Sequence, residues 1–187
     1  MNKPILLIYG MNENEKRLAF QNLSEQFNCD LIYTDTLQLK EKIGFLLDMD
    51  GFEKCSEHGE LSVPDIDFVL LHNIPSTDHV SLFTYMRENG IATGYKAVLT
   101  DTNKNWSLAH LINENFEEHK IITLWQKLRQ ATVYAEKILL EVDDWELSEA
   151  LKKSAPFVSP KEELPYDELL EVYNELVARL KTHFIVE

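Results

Sequence analysis

The sequence is poor in cysteine, glycine and basic residues, and each shortage argues against a class of protein. Two cysteines in 187 residues, Cys29 and Cys55, do not make a disulfide scaffold, and they favour the reducing cytoplasm as the location. Only six glycines are present. Gly10 follows an apolar run, but the next glycine is Gly44, so the glycine-rich loop of a dinucleotide-binding domain is missing.

Basic residues are outnumbered by acidic ones, 18 to 32, and the net charge is −14. No basic cluster of five or more residues offsets this charge, which argues against binding to nucleic acid or to an anionic membrane surface. No apolar run is long enough to span a membrane, and the short apolar run after Met-Asn-Lys-Pro does not resemble a signal peptide. The hydrophobic fraction of 44% is that of a folded protein.

Apolar runs and amphipathic segments alternate over the first 120 residues. This alternation predicts an α/β domain over residues 1–120, with a four-stranded parallel sheet and helices on both faces. The strand order 2-1-3-4 is predicted by fold analogy. The predicted strands are 5–9, 29–33, 67–72 and 95–99, and the predicted helices are 13–27, 36–47, 76–90 and 106–119.

Residues 121–187 are predicted to form a helical extension. Apolar residues recur at steps of three and four along 121–142, and a final helix starts near Pro165. The apolar face of that final helix needs a partner. Either it folds back on the long helix or it meets another subunit, so a homodimer through the C-terminal helices is one expectation.

The stretch 96–108 reads as a buried strand, a polar turn and a helix start. Asn105 is the preferred N-cap of that helix, with Asn103 as second choice, because the apolar periodicity starts at Trp106. Ligands of open parallel sheets lie beyond the carboxyl ends of the strands, where helix N-termini attract anions. Thr100, Thr102, Asn103 and Asn105 are therefore candidate ligand-binding residues. An ordinary strand-to-helix turn that needs caps is the alternative.

Three more polar residues follow predicted strands and join this candidate site. His72 and Asn73 end the third strand, and Asn12 follows the first. His72 is the one member that titrates near neutral pH, although a histidine bonded to a neighbouring turn is the alternative.

The acidic segment 48–64 raises the question of a metal. Cys55 and His58 have the spacing of half a zinc site, and no matching second pair exists. A solvated acidic loop is expected instead, and no metal or other cofactor is predicted.

The segment around residues 67–120 resembles a family of uncharacterised bacterial proteins, domain-of-unknown-function family 3783. The residues that carry the resemblance are Lys96-Ala97-Val98-Leu99-Thr100, Thr102-Asn103, Asn105-Trp106 and Glu117-Glu118-His119. The resemblance implies an α/β fold and no activity, because the family has none assigned.

Two functional hypotheses stay open, and the sequence does not decide whether the protein is an enzyme. The first is a non-enzymatic regulatory or protein-interaction module. The second is a small-ligand or anion sensor, or a small enzyme, that uses the carboxyl ends of the strands. No nucleophile elbow or phosphate loop is present, and His72-Asn73 stands where a signalling receiver domain would carry its acidic phosphate acceptor.

Overall fold

A computed structural model describes residues 3–56, 61–159 and 164–183. The chain divides into two compact units, Met1–Phe116 and Glu117–Glu187, which we call the α/β unit and the helical unit. The predicted boundary between residues 120 and 121 stays a prediction.

The α/β unit contains a four-stranded mixed sheet. Its strands are β1 (Ile5–Tyr9), β2 (Asp30–Thr34), β3 (Phe68–His72) and β4 (Tyr95–Val98). Their order is β2-β1-β3-β4, which confirms the predicted order. β1 pairs in parallel with β2, and β3 in parallel with β4, but β1 and β3 are antiparallel. The prediction of a wholly parallel sheet was therefore wrong.

The antiparallel pair follows from the connection between β2 and β3. Tyr9 pairs with Thr34 on one side and with Phe68 on the other, so this connection leaves and re-enters the sheet at the same edge. A parallel partner would require a crossover that returns to the opposite edge. The connection instead holds a short 3-10 turn, Thr36–Gln38, and the four-residue helix α2, Ile43–Leu46. The single helix predicted over 36–47 was therefore also wrong.

Helices cover both faces of the sheet, as predicted. They are α1 (Asn14–Phe27) and α3 (His79–Glu88) on one face, and α2 with the start of α4 (Leu108–Leu139) on the other. Alternate strand residues face opposite layers because side chains in a strand alternate. Leu6 and Leu71 pack with α1 and α3, whereas Leu7 and Leu70 pack with α2 and α4. The continuous apolar runs of β1 and β3 thus reflect burial on two sides.

The helical unit is formed by the later part of α4, α5 (Trp145–Val158) and α6 (Tyr166–Thr182). Its buried core includes Leu128, Leu147 and Leu176, each fully buried. The Asp144 carboxylate caps α5, because its Oδ1 accepts the Leu147 amide at 3.0 Å. Among the described helices, none combines the length and hydrophobicity that crossing a bilayer requires.

Candidate functional site

The structure places the polar residues that follow β3 and those that follow β4 side by side. β3 and β4 are parallel neighbours, and beyond the last strand pair the Leu99 amide donates to the Leu71 carbonyl at 2.9 Å. His72 and Asn73 therefore leave the sheet next to Thr100, at the same edge. This adjacency is what parallel pairing of consecutive strands predicts.

Asn103 holds the corner after β4 together. Its Oδ1 accepts the Thr100 amide at 2.8 Å, and its Nδ2 donates to the Val98 carbonyl at 3.0 Å. Its own amide donates to the Thr100 hydroxyl at 3.1 Å. Asn103 is buried, with 8% of its surface exposed. Its side chain is thus committed to the turn, which supports a structural role for this residue.

Helix α4 begins two residues later than predicted, and its N-cap is Ser107. The Ser107 hydroxyl accepts the His110 amide at 3.1 Å, as N-cap side chains do. Asn105 is not the cap. It lies in a 3-10 turn, Asn103–Asn105, and its Nδ2 donates to the Asp101 carbonyl at 3.0 Å.

The other amides at this helix start are also used within the protein. Leu108 and Ala109 donate to the Glu41 and Leu39 carbonyls, each at 2.9 Å. Helix N-termini bind anions through amides that have no internal partner. Since these amides are occupied, we do not place an anion at the start of α4. Thr102 is exposed at this corner.

His72 and Asn73 form a bonded pair at the end of β3. Asn73 has a φ of 56°, a left-handed conformation that asparagine tolerates better than most residues. Its Nδ2 lies 2.9 Å from His72 Nε2. Partial burial lowers the pKa of His72, which favours the neutral ring. In the neutral ring, Nε2 can accept the Asn73 amide proton.

Asn12 lies at the opposite edge of the sheet from the other six candidates. It follows β1, whose last residue, Tyr9, pairs with the first residue of β3, Phe68. The prediction that Asn12 joins His72 was therefore wrong, and the cause is the antiparallel direction of β3. At its own edge, Asn12 Oδ1 accepts from Arg17 at 3.4 Å.

A cavity of about 600 Å³ opens at the edge that carries His72. Because β1 runs against β3, the start of β1 reaches this edge and Ile5 pairs with His72. The turn after α2 and the 3-10 turn after β4 complete the walls. The lining residues are Lys3, Ile5, Leu47, Asp48, Met49, Asp50, Phe52, His72 and Lys104. We call this space the sheet-edge cavity.

Sequence reasoning identified only His72 among these residues. Lys104 lies in the polar turn that was predicted to bind a ligand, and its position between the candidates Asn103 and Asn105 could have identified it. Asp48 and Asp50 belong to the acidic segment 48–64, which raised the question of a metal, but nothing in the sequence placed them beside His72. Their place at this edge, like that of Lys3, depends on the strand directions.

The charges of the sheet-edge cavity are unevenly compensated. Lys3 pairs with Asp30 at 2.5 Å, and Lys104 pairs with Asp101 at 2.7 Å. The hydrogen bond from Lys104 lowers the pKa of Asp101 and keeps it ionised. In the part of the chain that the structure describes, Asp48 and Asp50 have no such counter-ion. The cavity thus offers free carboxylates rather than free ammonium groups, which suits a cation better than an anion.

The described residues of the acidic segment form no cluster of metal-binding side chains. Over residues 3–56, 61–159 and 164–183, no group of three or more metal-binding side chains lies together. The Cys55 amide donates to the buried carboxylate of Glu41 at 2.8 Å. His58, the other half of the candidate zinc pair, lies outside the described residues.

Part of this site lies within a segment that matches a known family model. Residues 67–122 match the family model "Domain of unknown function (DUF3783)". The DUF3783 segment covers β3, α3, β4 and the first part of α4, which confirms the resemblance seen in the sequence. It includes His72 and Asn103, whereas Lys3 and the turn with Asp48 and Asp50 lie outside it. No curated protein and no solved structure matches the chain.

Proposed function

We propose that this protein is a non-enzymatic regulatory module whose α/β unit binds a small organic amine in the sheet-edge cavity. One observation carries the proposal: among the described residues, Asp48 and Asp50 line a ligand-sized space without counter-ions, while both lysines there are already paired. An ammonium group placed between these carboxylates would gain charge-assisted hydrogen bonds. This proposal replaces the anion that the sequence alone suggested.

The remaining walls suit the carbon skeleton of such an amine. Ile5, Leu47, Met49 and Phe52 provide apolar contact area around the charged groups. Small-molecule sites commonly combine apolar walls with a few polar groups that orient the ligand. The volume of about 600 Å³ lies within the range of such sites.

The lining favours binding over catalysis. No serine, threonine or cysteine stands among its described lining residues, so the usual hydroxyl and thiol nucleophiles are missing there. His72 could act as a base, but its Nε2 already contacts Asn73. A general base needs a free nitrogen within reach of the proton it removes.

A reducing, cytoplasmic location is part of the proposal. Both cysteines are free thiols, and Cys29 is buried with 4% of its surface exposed. Burial raises the pKa of the Cys29 thiol, which keeps it protonated and less reactive.

Titration calorimetry on the full chain tests the proposal. The probes are linear and aromatic alkylamines and diamines, with inorganic phosphate and citrate as anionic probes. We expect at least one amine to bind, and we expect Asp48→Asn and Asp50→Asn each to weaken that binding about tenfold through loss of one charge contact. Asp143→Asn is the matched control, since it removes the same charge from the helical unit.

Two results would overturn the proposal. One is that phosphate or citrate binds while no amine does. The other is that an amine binds equally well to the double variant Asp48→Asn, Asp50→Asn and to the Asp143→Asn control.

A further inference from the structure

The helical unit carries a surface whose charge is opposite to that of the whole chain. Two adjoining hollows, of about 430 and 230 Å³, share the residues Gln130 and Tyr134 on α4. We call them together the basic groove. It is defined by Lys127, Arg129, Val133, Tyr134, Lys137 and Lys181.

The four cations of the basic groove have no carboxylate partner among the residues that the structure describes. Across the described stretches of the chain, none of these side chains forms an ion pair. Arg129 instead lies over the Trp125 ring at 4.9 Å, and Lys137 lies 5.9 Å from the Tyr134 ring. No acidic residue stands among the described lining residues either. In a chain with a net charge of −14, such a surface is unexpected unless an acidic group approaches it.

The basic groove also exposes apolar area. Val133 and Tyr134 are 49% and 56% exposed, although they lie on the same helix as the buried core residue Leu128. The lining runs along α4 from Gln126 to Lys137, which is roughly 16 Å at the rise of an α-helix. A partner helix of three turns would cover this length, with its apolar residues on Val133 and Tyr134.

We propose that the basic groove binds an acidic amphipathic helix of a protein partner. The carboxylates of that helix would pair with the free cations at the rim, and its apolar stripe would cover the exposed side chains. This inference is independent of the amine site, because it uses only residues of the helical unit.

Charge pairing disfavours a second copy of this chain in the basic groove. A symmetric antiparallel pairing of two α4 helices about Val133 would set Arg129 of one copy against Lys137 of the other. Like charges at such a contact are unfavourable. The homodimer through the C-terminal helices that the sequence suggested is therefore the competing outcome, and the experiment separates the two.

Fluorescence anisotropy with the full-length protein tests the inference. The probe is a labelled 18-residue helical peptide with leucines at steps of three and four, flanked by glutamates. The control peptide carries glutamine in place of each glutamate. We expect the acidic peptide to bind, more weakly as salt rises, and the glutamine peptide to bind at least about tenfold more weakly.

Charge reversal in the protein provides the second arm. We expect Arg129→Glu and Lys137→Glu each to reduce peptide affinity about tenfold or more. Lys54→Glu, in the α/β unit, is the matched control and should leave the affinity unchanged. Far-ultraviolet circular dichroism confirms that each variant folds.

Three outcomes would overturn the inference. The acidic peptide fails to bind, or the charge-reversed proteins bind it as the wild type does, or light scattering shows a dimer that Lys137→Glu dissociates or strengthens. Amine binding measured on the same variants keeps the two proposals apart, because Arg129→Glu should not change it.

Discussion

At the scale of single residues, Asn103 carries the corner between β4 and α4. Its amide group satisfies the Thr100 N–H and the Val98 carbonyl, two backbone groups that the end of a strand leaves without partners. Because both atoms of its side-chain amide are bonded to the backbone, this buried asparagine contributes to stability rather than to ligand binding. The residue that drew attention as a ligand candidate therefore acts through the backbone that positions Lys104 at the sheet-edge cavity.

Replacing Asn103 should destabilise the protein. Asn103→Ala leaves a backbone donor and an acceptor without partners, and we expect a loss of about 2 to 3 kcal/mol in the free energy of unfolding. Thr102→Ala, next to it and exposed, should change stability by less than about 0.5 kcal/mol. Urea denaturation measures both. Equal and small effects of the two substitutions would show that the Asn103 hydrogen bonds do not hold this corner.

His72 should make stability depend on pH in a defined direction. Partial burial lowers its pKa in the folded state, so below about pH 6.5 the unfolded chain takes up the proton first. The contribution of neutral His72 is thus complete above about pH 6.5 and is lost as the pH falls through the lower folded-state pKa. His72→Gln removes this proton uptake and keeps a neutral side chain.

The difference between wild type and His72→Gln isolates this effect from the other histidines. We expect wild type to lose stability relative to His72→Gln when the pH is lowered from 7.5 to 5.5, as measured by urea midpoints. A constant difference across this range would mean that His72 titrates alike in the folded and unfolded chain.

At the scale of elements, Gly44 in α2 leaves room for the Phe52 side chain. A Cβ at this position would lie 2.6 Å from the Phe52 ring, far inside van der Waals contact. Glycine therefore lets the turn with Asp48 and Asp50 fold back, so that Phe52 packs on α2. Asp48 itself has a left-handed φ of 52° where α2 ends. The wall of the sheet-edge cavity thus depends on a glycine that helix propensity alone would count as a defect.

Gly44→Ala should destabilise the protein although alanine is the better helix former. We expect overpacking against Phe52 to outweigh the gain in propensity and to cost about 1 kcal/mol net. In a Phe52→Ala background the same substitution should be neutral or stabilising, because the space is then open. Thermal and urea unfolding of the four proteins form a double-mutant cycle. Stabilisation by Gly44→Ala in the wild-type background would contradict the packing described here.

The helices and strands also show how much of the fold can be predicted from the sequence. The four strands were predictable, because short apolar runs alternate with amphipathic segments. Their order was predicted by fold analogy and not by the residues. The direction of β3 was not predictable, since a strand buried on both faces reads the same in either direction. Its direction depends on the connection from Thr34 to Phe68, which stays at one edge of the sheet. The N-cap of α4 was missed because the apolar periodicity starts at Trp106, which favoured Asn105, whereas the actual cap, Ser107, follows Trp106.

At the scale of the whole molecule, the antiparallel direction of β3 relative to β1 decides which of the predicted site residues lie close together. Two strand–helix–strand pairs, β1 with β2 and β3 with β4, join in opposite directions. His72 and the turn with Lys104 therefore share an edge with Lys3, at the start of β1, and Asn12 is left at the other edge. The antiparallel direction of β3 thus brings the start of β1 and His72 together in the sheet-edge cavity.

Nuclear Overhauser contacts between β1 and β3 in the isotope-labelled full chain test this central claim most directly. The antiparallel register predicts contacts of Leu6 with Leu71 and of Ile8 with Val69. A parallel pairing would instead bring Leu6 near Val69 and Ile8 near Leu71. That result would separate Lys3 from His72 and remove the proposed amine site.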